Sequence, residues 1–169
     1  MVADRNGAPR ITPGSNFLHA PGSPFCINRT GKKGMLLTTD PDGKVVFLQE
    51  NGKTSEVTLN LFSPAHHFFY EDITGNGQDE FIFIDRDKIF YYNQGFKLIY
   101  SYQFRHMINT RPFLLQGAGN KKMVGFVFPE TNELFLFDQF GSHELESGIR
   151  GNTPFDIGKL AHADAMSLV

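Results

Sequence analysis

The 169 residues carry 18 acidic and 16 basic side chains, a formal net charge of −2, with 40% apolar and 20% charged composition. That balance is globular rather than disordered and suits one domain with a sizeable core; it offers no basic footprint for nucleic acid or an anionic membrane. A single cysteine, Cys26, excludes an intrachain disulfide and a cysteine-based zinc cluster, and no apolar run reaches the ~18 residues of a membrane helix. The first residues do not show a signal-peptide pattern. Eighteen phenylalanines and no tryptophan lean the composition toward sheet, because phenylalanine suits half-buried pleated surfaces.

Residues 1–22, punctuated by Gly7, Pro9, Pro13, Gly14, Pro21 and Gly22, read as a loop-like or disordered arm. From Phe25 the chain repeats. Phe25-Cys26-Ile27 closes on Gly31, Phe69-Tyr70-Glu71 on Gly75 and Phe113-Leu114-Leu115 on Gly119, and Phe155-Asp156-Ile157 opens a last copy. The four phenylalanines stand 44, 44 and 42 residues apart. After each glycine comes an apolar strand: Met35-Leu36-Leu37, Phe81 to Ile84, then Met123 to Phe128. Polar turns follow at Asp40-Pro41-Asp42-Gly43, Asp85-Arg86-Asp87 and Pro129 to Asn132. Third strands return at Val45–Leu48, Ile89–Tyr92 and Leu134–Phe137, with Gly52, Gly95 and Gly141 in equivalent turns. Fourth strands are expected at Val57–Leu61 and Leu98–Tyr102, with a weak third copy at Glu144-Leu145-Glu146. The tail, 161–169, reads as an improvised ending such as a helical cap.

The expected fold is therefore all-β, built of β-propeller-type blades of four antiparallel strands. The repeats lie near 25–68, 69–112 and 113–154, with a partial copy from 155, inside a repeat region of 23–160. Three repeats fall short of a closed ring, so a partial propeller with self-associating open faces is expected. A sandwich or prism with coincident spacing is the alternative.

Asp72-Ile73-Thr74-Gly75-Asn76-Gly77-Gln78-Asp79-Glu80, running into Phe81-Ile82, resembles the acidic loop of FG-GAP and VCBS-like propeller blades. The resemblance implies calcium held by the side chains of Asp72, Thr74 and Asn76, the carbonyl of Gln78, and Glu80, with glycines allowing the curl. Threonine and asparagine stand where the family pattern has Asn or Asp and Asp, leaving Asp72 and Glu80 as charged ligands. A hydrogen-bonded Asx-type turn without metal is the competing reading. The equivalent loops, Asn28–Lys33 and Gln116–Lys122, carry lysines and no acid.

Other candidates are weaker. His66 and His67 are adjacent, so on a strand they point to opposite faces and do not share an ion. His19, His106, His143 and His162 lack a ligand-spaced histidine partner, and Cys26 reads as a buried, inert thiol. Tyr91, Tyr92, Tyr100, Tyr102 and Phe104 form an aromatic cluster that suits either sugar stacking or packing between repeats, with Arg105, His106 and Arg111 at its rim. The expectation is a non-catalytic binding scaffold, part of a larger bacterial-type protein, taking a protein or glycan ligand. The resemblance implies a setting outside the cytoplasm. The alternative is a propeller-type enzyme, quinoprotein-like or glycan-active, completed by further blades.

Overall fold

A computed structural model of the chain describes residues 2–3, 5–11, 21–28, 35–49, 52–116, 122–138, 141–144, 157–158 and 167–168. Every regular element among the described residues is a strand, so the protein is all-β. The chain divides into two compact units, residues 1–70 and 71–169.

In the first unit, β1 (Val2–Ala3) and β2 (Pro9–Ile11) form an antiparallel ladder, so the expected arm contains regular structure. The first sheet follows as β3 (Cys26–Asn28), β4 (Met35–Thr39), β5 (Val45–Leu48) and β6 (Thr54–Val57), antiparallel and in that order. Leu37, Val45, Val46 and Leu48 are its buried apolar residues, as expected of inner strands, and Thr38 and Thr39 at the end of β4 are buried with them. The β4–β5 turn is clamped by Asp40, whose Oδ1 accepts the N–H groups of Asp42 and Lys44 at 2.9 and 2.8 Å. Gly43 takes φ +78° beside Phe62, and a Cβ there would lie 2.6 Å from the Phe62 Cβ. Only glycine fits both demands.

Two expectations need correction here. The fourth strand is Thr54–Val57 rather than Val57–Leu61, because β5 offers only four residues and Val57 already pairs with its first, Val45. Cys26 is half-buried rather than buried, since β3 is a short edge strand whose neighbours Phe25 and Ile27 are exposed.

The second sheet comprises β7 (His67–Glu71), β8 (Glu80–Asp85), β9 (Lys88–Tyr92) and β10 (Leu98–Gln103), in the order β10-β9-β8-β7. The third comprises β11 (Phe113–Gln116), β12 (Lys122–Phe128), β13 (Glu133–Asp138) and β14 (Gly141–Glu144), again in sequence order. β15 (Ile157–Gly158) pairs with β16 (Ser167–Leu168); residues 161–166, where a helical cap was expected, lie outside the described residues.

The repeat persists in individual bonds. Phe62 N–H donates to the Asp42 carbonyl, and Phe104 N–H donates to that of Asp87. Gly22 N–H donates to the Thr39 carbonyl at 2.6 Å, and 88 residues on the Thr110 hydroxyl donates to the Val127 carbonyl at 2.6 Å. The turn glycines are less regular. Gly52 (φ 78°) matches Phe96 (φ 60°), 44 residues later, so Phe96 rather than Gly95 occupies the left-handed place. The Phe96 ring packs on Phe81 with centroids 5.5 Å apart, a contact that glycine could not make.

Within the second unit, the β8–β10 part of the second sheet stacks on the third sheet. Strand alternation puts Ile89, Tyr91, Tyr100 and Tyr102 on one face of the second sheet. The same rule puts Val124, Phe126, Phe128, Phe135 and Phe137 on one face of the third. Tyr102 meets Phe137 at 5.4 Å between centroids, which identifies these as facing surfaces. Phe104, just past β10, inserts between them, edge-on to Phe126 and Phe137 at 4.9 Å each.

Candidate functional site

The seam between the second and third sheets opens into a cleft of about 320 Å³. That is the small end of the range for ligand pockets. Its second-sheet wall comes from the chain leaving β10: Tyr102, Phe104, Arg105 and His106. Phe128, Glu133 and Phe135 supply the opposite wall from the ends of β12 and β13. The arrangement follows from the local fold. Burying Phe104 as the seam's wedge stops the strand, and the Phe104 N–H to Asp87 carbonyl bond (2.7 Å) turns the next two residues outward.

Arg105, His106 and Glu133 are exposed over a floor in which Phe104 and Phe128 are buried. The His106 ring lies 5.7 Å from that of Phe128, tilted 62°, so the floor orients it. Glu133 Oε2 accepts the Thr131 hydroxyl at 2.8 Å. Among the described residues, Arg105 has no ion-pair partner. The cleft thus offers the exposed Tyr102 ring and the half-buried Phe135 ring for stacking, one guanidinium and one carboxylate for directed hydrogen bonds, and an imidazole. Such a set binds and orients a small polar ligand or a side chain.

Of the sequence candidates, Tyr102, Phe104, Arg105 and His106 come together here, and Arg111 is exposed outside the cleft lining. Tyr91 and Tyr92 belong to the core instead, with exposures of 1% and 6%, which removes them from any sugar-stacking surface. Tyr91 packs on Tyr100 at 5.3 Å, and burial raises both phenols above the ordinary tyrosine value. Phe128, Glu133 and Phe135 were missed. Each reads in sequence as an ordinary strand or turn residue, and only the stacking of sheets brings them opposite Phe104.

The acidic loop joins β7 to β8, and its five expected ligand residues do lie in one turn. Its carboxylates face hydrogen-bond donors. Buried Glu80 accepts Ile73 N–H (3.0 Å) and Thr74 N–H (3.2 Å) on Oε2, and the Thr74 hydroxyl (2.8 Å) and Asn76 Nδ2 (3.4 Å) on Oε1. Asp72 accepts Asn76 N–H and Gly77 N–H at 3.1 and 2.8 Å, and Asn76 Oδ1 accepts Gln78 N–H at 2.7 Å. Burial pushes the Glu80 carboxyl above the ordinary glutamate value, against the pull of its hydrogen bonds. Asp79 is raised as well, first by burial and then by Glu71, with Lys122 opposing. Lys122 ion-pairs with Glu71. Among the described residues no group of three or more His, Cys, Asp or Glu side chains is placed to hold a metal.

His66 is structural. Its Nδ1 donates to the Ser63 carbonyl (2.7 Å), and its Nε2 is hydrogen-bonded to the Thr39 hydroxyl at 2.7 Å. His67, at the start of β7, is half-buried. His19, His162 and most of the equivalent loops (29–34 and 117–121) lie outside the described residues, as does the side chain of His143. No family model, curated protein or solved structure matches the chain.

Proposed function

We propose that this chain is a non-catalytic binding scaffold of propeller-type blades, akin to FG-GAP and VCBS-like repeats, that takes a protein or glycan ligand at the seam between blades. The cleft between the second and third sheets carries the reading, because an aromatic floor rimmed by Arg105, His106 and Glu133 suits recognition. In-register repetition of four-stranded antiparallel sheets supports the blade assignment. The test is a panel of glycans and short peptides screened by amide chemical-shift mapping on the isotopically labelled chain. Binding should shift the amides of Arg105, His106 and Glu133, and His106→Ala with Glu133→Ala should weaken it at least tenfold without moving the melting temperature. A panel whose hits all map elsewhere refutes the cleft as the site.

The acidic loop has a separate role in this reading: it braces the β7–β8 connection through its own hydrogen bonds. The four donors on Glu80 support this, since calcium would have to compete with them; Asp72 accepts two. Calcium at Asp72, Thr74, Asn76, Gln78 and Glu80 makes a distinct forecast. A site with Kd of about 0.1–1 mM stabilises by roughly 1.4–2.7 kcal/mol in 10 mM calcium, raising Tm by about 3–10 °C. A self-braced loop leaves Tm unchanged. A rise of that size, abolished by Asp72→Asn, assigns the ion instead.

A further inference from the structure

The outer edge of the second sheet differs from its two equivalents. β6 (Thr-Ser-Glu-Val) and β14 (Gly-Ser-His-Glu) are four residues long and each carries a glutamate. β10 (Leu-Ile-Tyr-Ser-Tyr-Gln) is six residues long, holds no charge, and leaves Leu98, Ile99 and Tyr102 at 40–45% exposure. Uncovered edges are ordinarily blunted by charge, brevity or proline, because their unpaired main chain recruits further strands. Here charge, brevity and proline are absent, and the one irregularity of the β10–β9 ladder falls between Leu98 and Tyr100, leaving Tyr100–Gln103 regular.

Hydrogen-bond parity shows which groups stand open. Phe104 N–H bonds the Asp87 carbonyl, so Tyr102 (opposite Ile89) and Tyr100 (opposite Tyr91) direct their main chain toward β9. Ser101 and Gln103 therefore direct their N–H and C=O groups outward, and both residues are exposed. An outward ladder of this kind is completed by one class of ligand, an extended peptide.

Charge selects which peptide. Lys97 stands immediately before β10, and Arg105 stands two residues after it in the cleft; among the described residues neither has an ion-pair partner. A second copy of β10 paired antiparallel about Ser101 would set Lys97 of one copy opposite Arg105 of the other, which like charge disfavours. We propose that the β10 edge docks an extended peptide as an additional strand, with acidic residues at its two ends meeting Lys97 and Arg105 and an uncharged, alternating centre between them. This deepens the binding-scaffold reading and rests on it. β10 is six residues long with an irregularity between Leu98 and Tyr100, so the acids should flank a central segment of about that length.

The probe is a fluorescein-labelled nine-residue peptide, alternating valine and threonine with a glutamate at each end, read by fluorescence anisotropy. Binding should weaken at least tenfold for the same peptide ended in lysine, for one N-methylated at alternate residues, and for the Ser101→Pro chain. Arg105→Glu should weaken it similarly, and Glu133→Gln, which removes the opposing carboxylate of the cleft, should tighten it. Because N-methylation leaves the protein untouched, the conclusion survives a Ser101→Pro chain that fails to fold. Binding indifferent to N-methylation, or no saturable binding up to 1 mM, overturns the inference. A dimer in sedimentation that Ser101→Pro dissociates gives the edge to a second copy and overturns it too. Failure of the peptide while a cleft ligand still binds sinks this inference alone; failure of both sinks the scaffold reading.

Discussion

Phe104 is the residue on which both the stacking of the second unit and the shape of its cleft depend. Its side chain is 5% exposed and contacts Phe126, Phe128, Phe135 and Phe137, with centroids 4.9–6.0 Å away. Truncating a buried phenylalanine to alanine costs about 3–5 kcal/mol, the lost transfer term plus the cavity. Three of these four rings meet Phe104 nearly edge-on (77–89°), so the upper half of that range is expected. Phe104→Leu keeps the apolar volume but forfeits the ring geometry, for about 1–2 kcal/mol. Neither change touches the Phe104 N–H bond to Asp87, so the difference reports side-chain packing. Urea unfolding is the assay. With m of about 2 kcal/mol/M, alanine should lower the midpoint by roughly 2–2.5 M and leucine by about 0.5–1 M. A loss below about 1 kcal/mol for alanine would mean that Phe104 is not wedged between packed sheets, and the seam would not exist as described.

Three further expectations test the braces and turns. Glu80→Gln should cost about 1–2 kcal/mol at pH 7, because the amide nitrogen faces donors that the carboxylate accepted. Burial raises the folded-state value of Glu80 above its ordinary 4.5, so this group's contribution is full below pH 4.5 and lost as pH rises through the folded value. The stability gap between wild type and Glu80→Gln should therefore widen on acidification, and a gap that narrows would show a depressed carboxyl. Gly43→Ala should lose at least ~2 kcal/mol, combining left-handed strain with the Phe62 clash, whereas Gly75→Ala (φ +70°, with open space around it) should show only the strain of about 1 kcal/mol. Equal losses at the two sites, read from chemical denaturation, would remove Phe62 from the argument. Tyr91→Phe should stabilise by about 1 kcal/mol, since the buried Tyr91 hydroxyl has no hydrogen-bond partner among the described residues; a destabilised variant would reveal one.

Much of the fold was legible because its determinants are local. Alternating or continuous apolar runs bounded by Asp, Gly and Asn turns set the strands, and the spacing of Phe25, Phe69 and Phe113 set the repeat. Errors arose where pairing overrode pattern: β6 stops at Val57 because β5 runs out, and Phe96 takes a left-handed place that Gly95 was expected to mark. Half of the cleft was legible in the same way. Tyr102, Phe104, Arg105 and His106 are contiguous or nearly so, and their mixture of rings and cations stands out in a line of text.

The amino-acid order by itself determined an all-β chain of recurring four-strand sheets and an acidic turn between two of its strands, since each rests on contacts among near neighbours. Tertiary structure alone decided the rest. Stacking of the third sheet on the second set Phe128, Glu133 and Phe135 across from Phe104, and Tyr91 is buried, which selects packing over sugar stacking for that residue. The acidic turn shows the same division. Its residues announced a set of oxygen atoms, and burial turned the Glu80 carboxylate onto the N–H groups of Ile73 and Thr74.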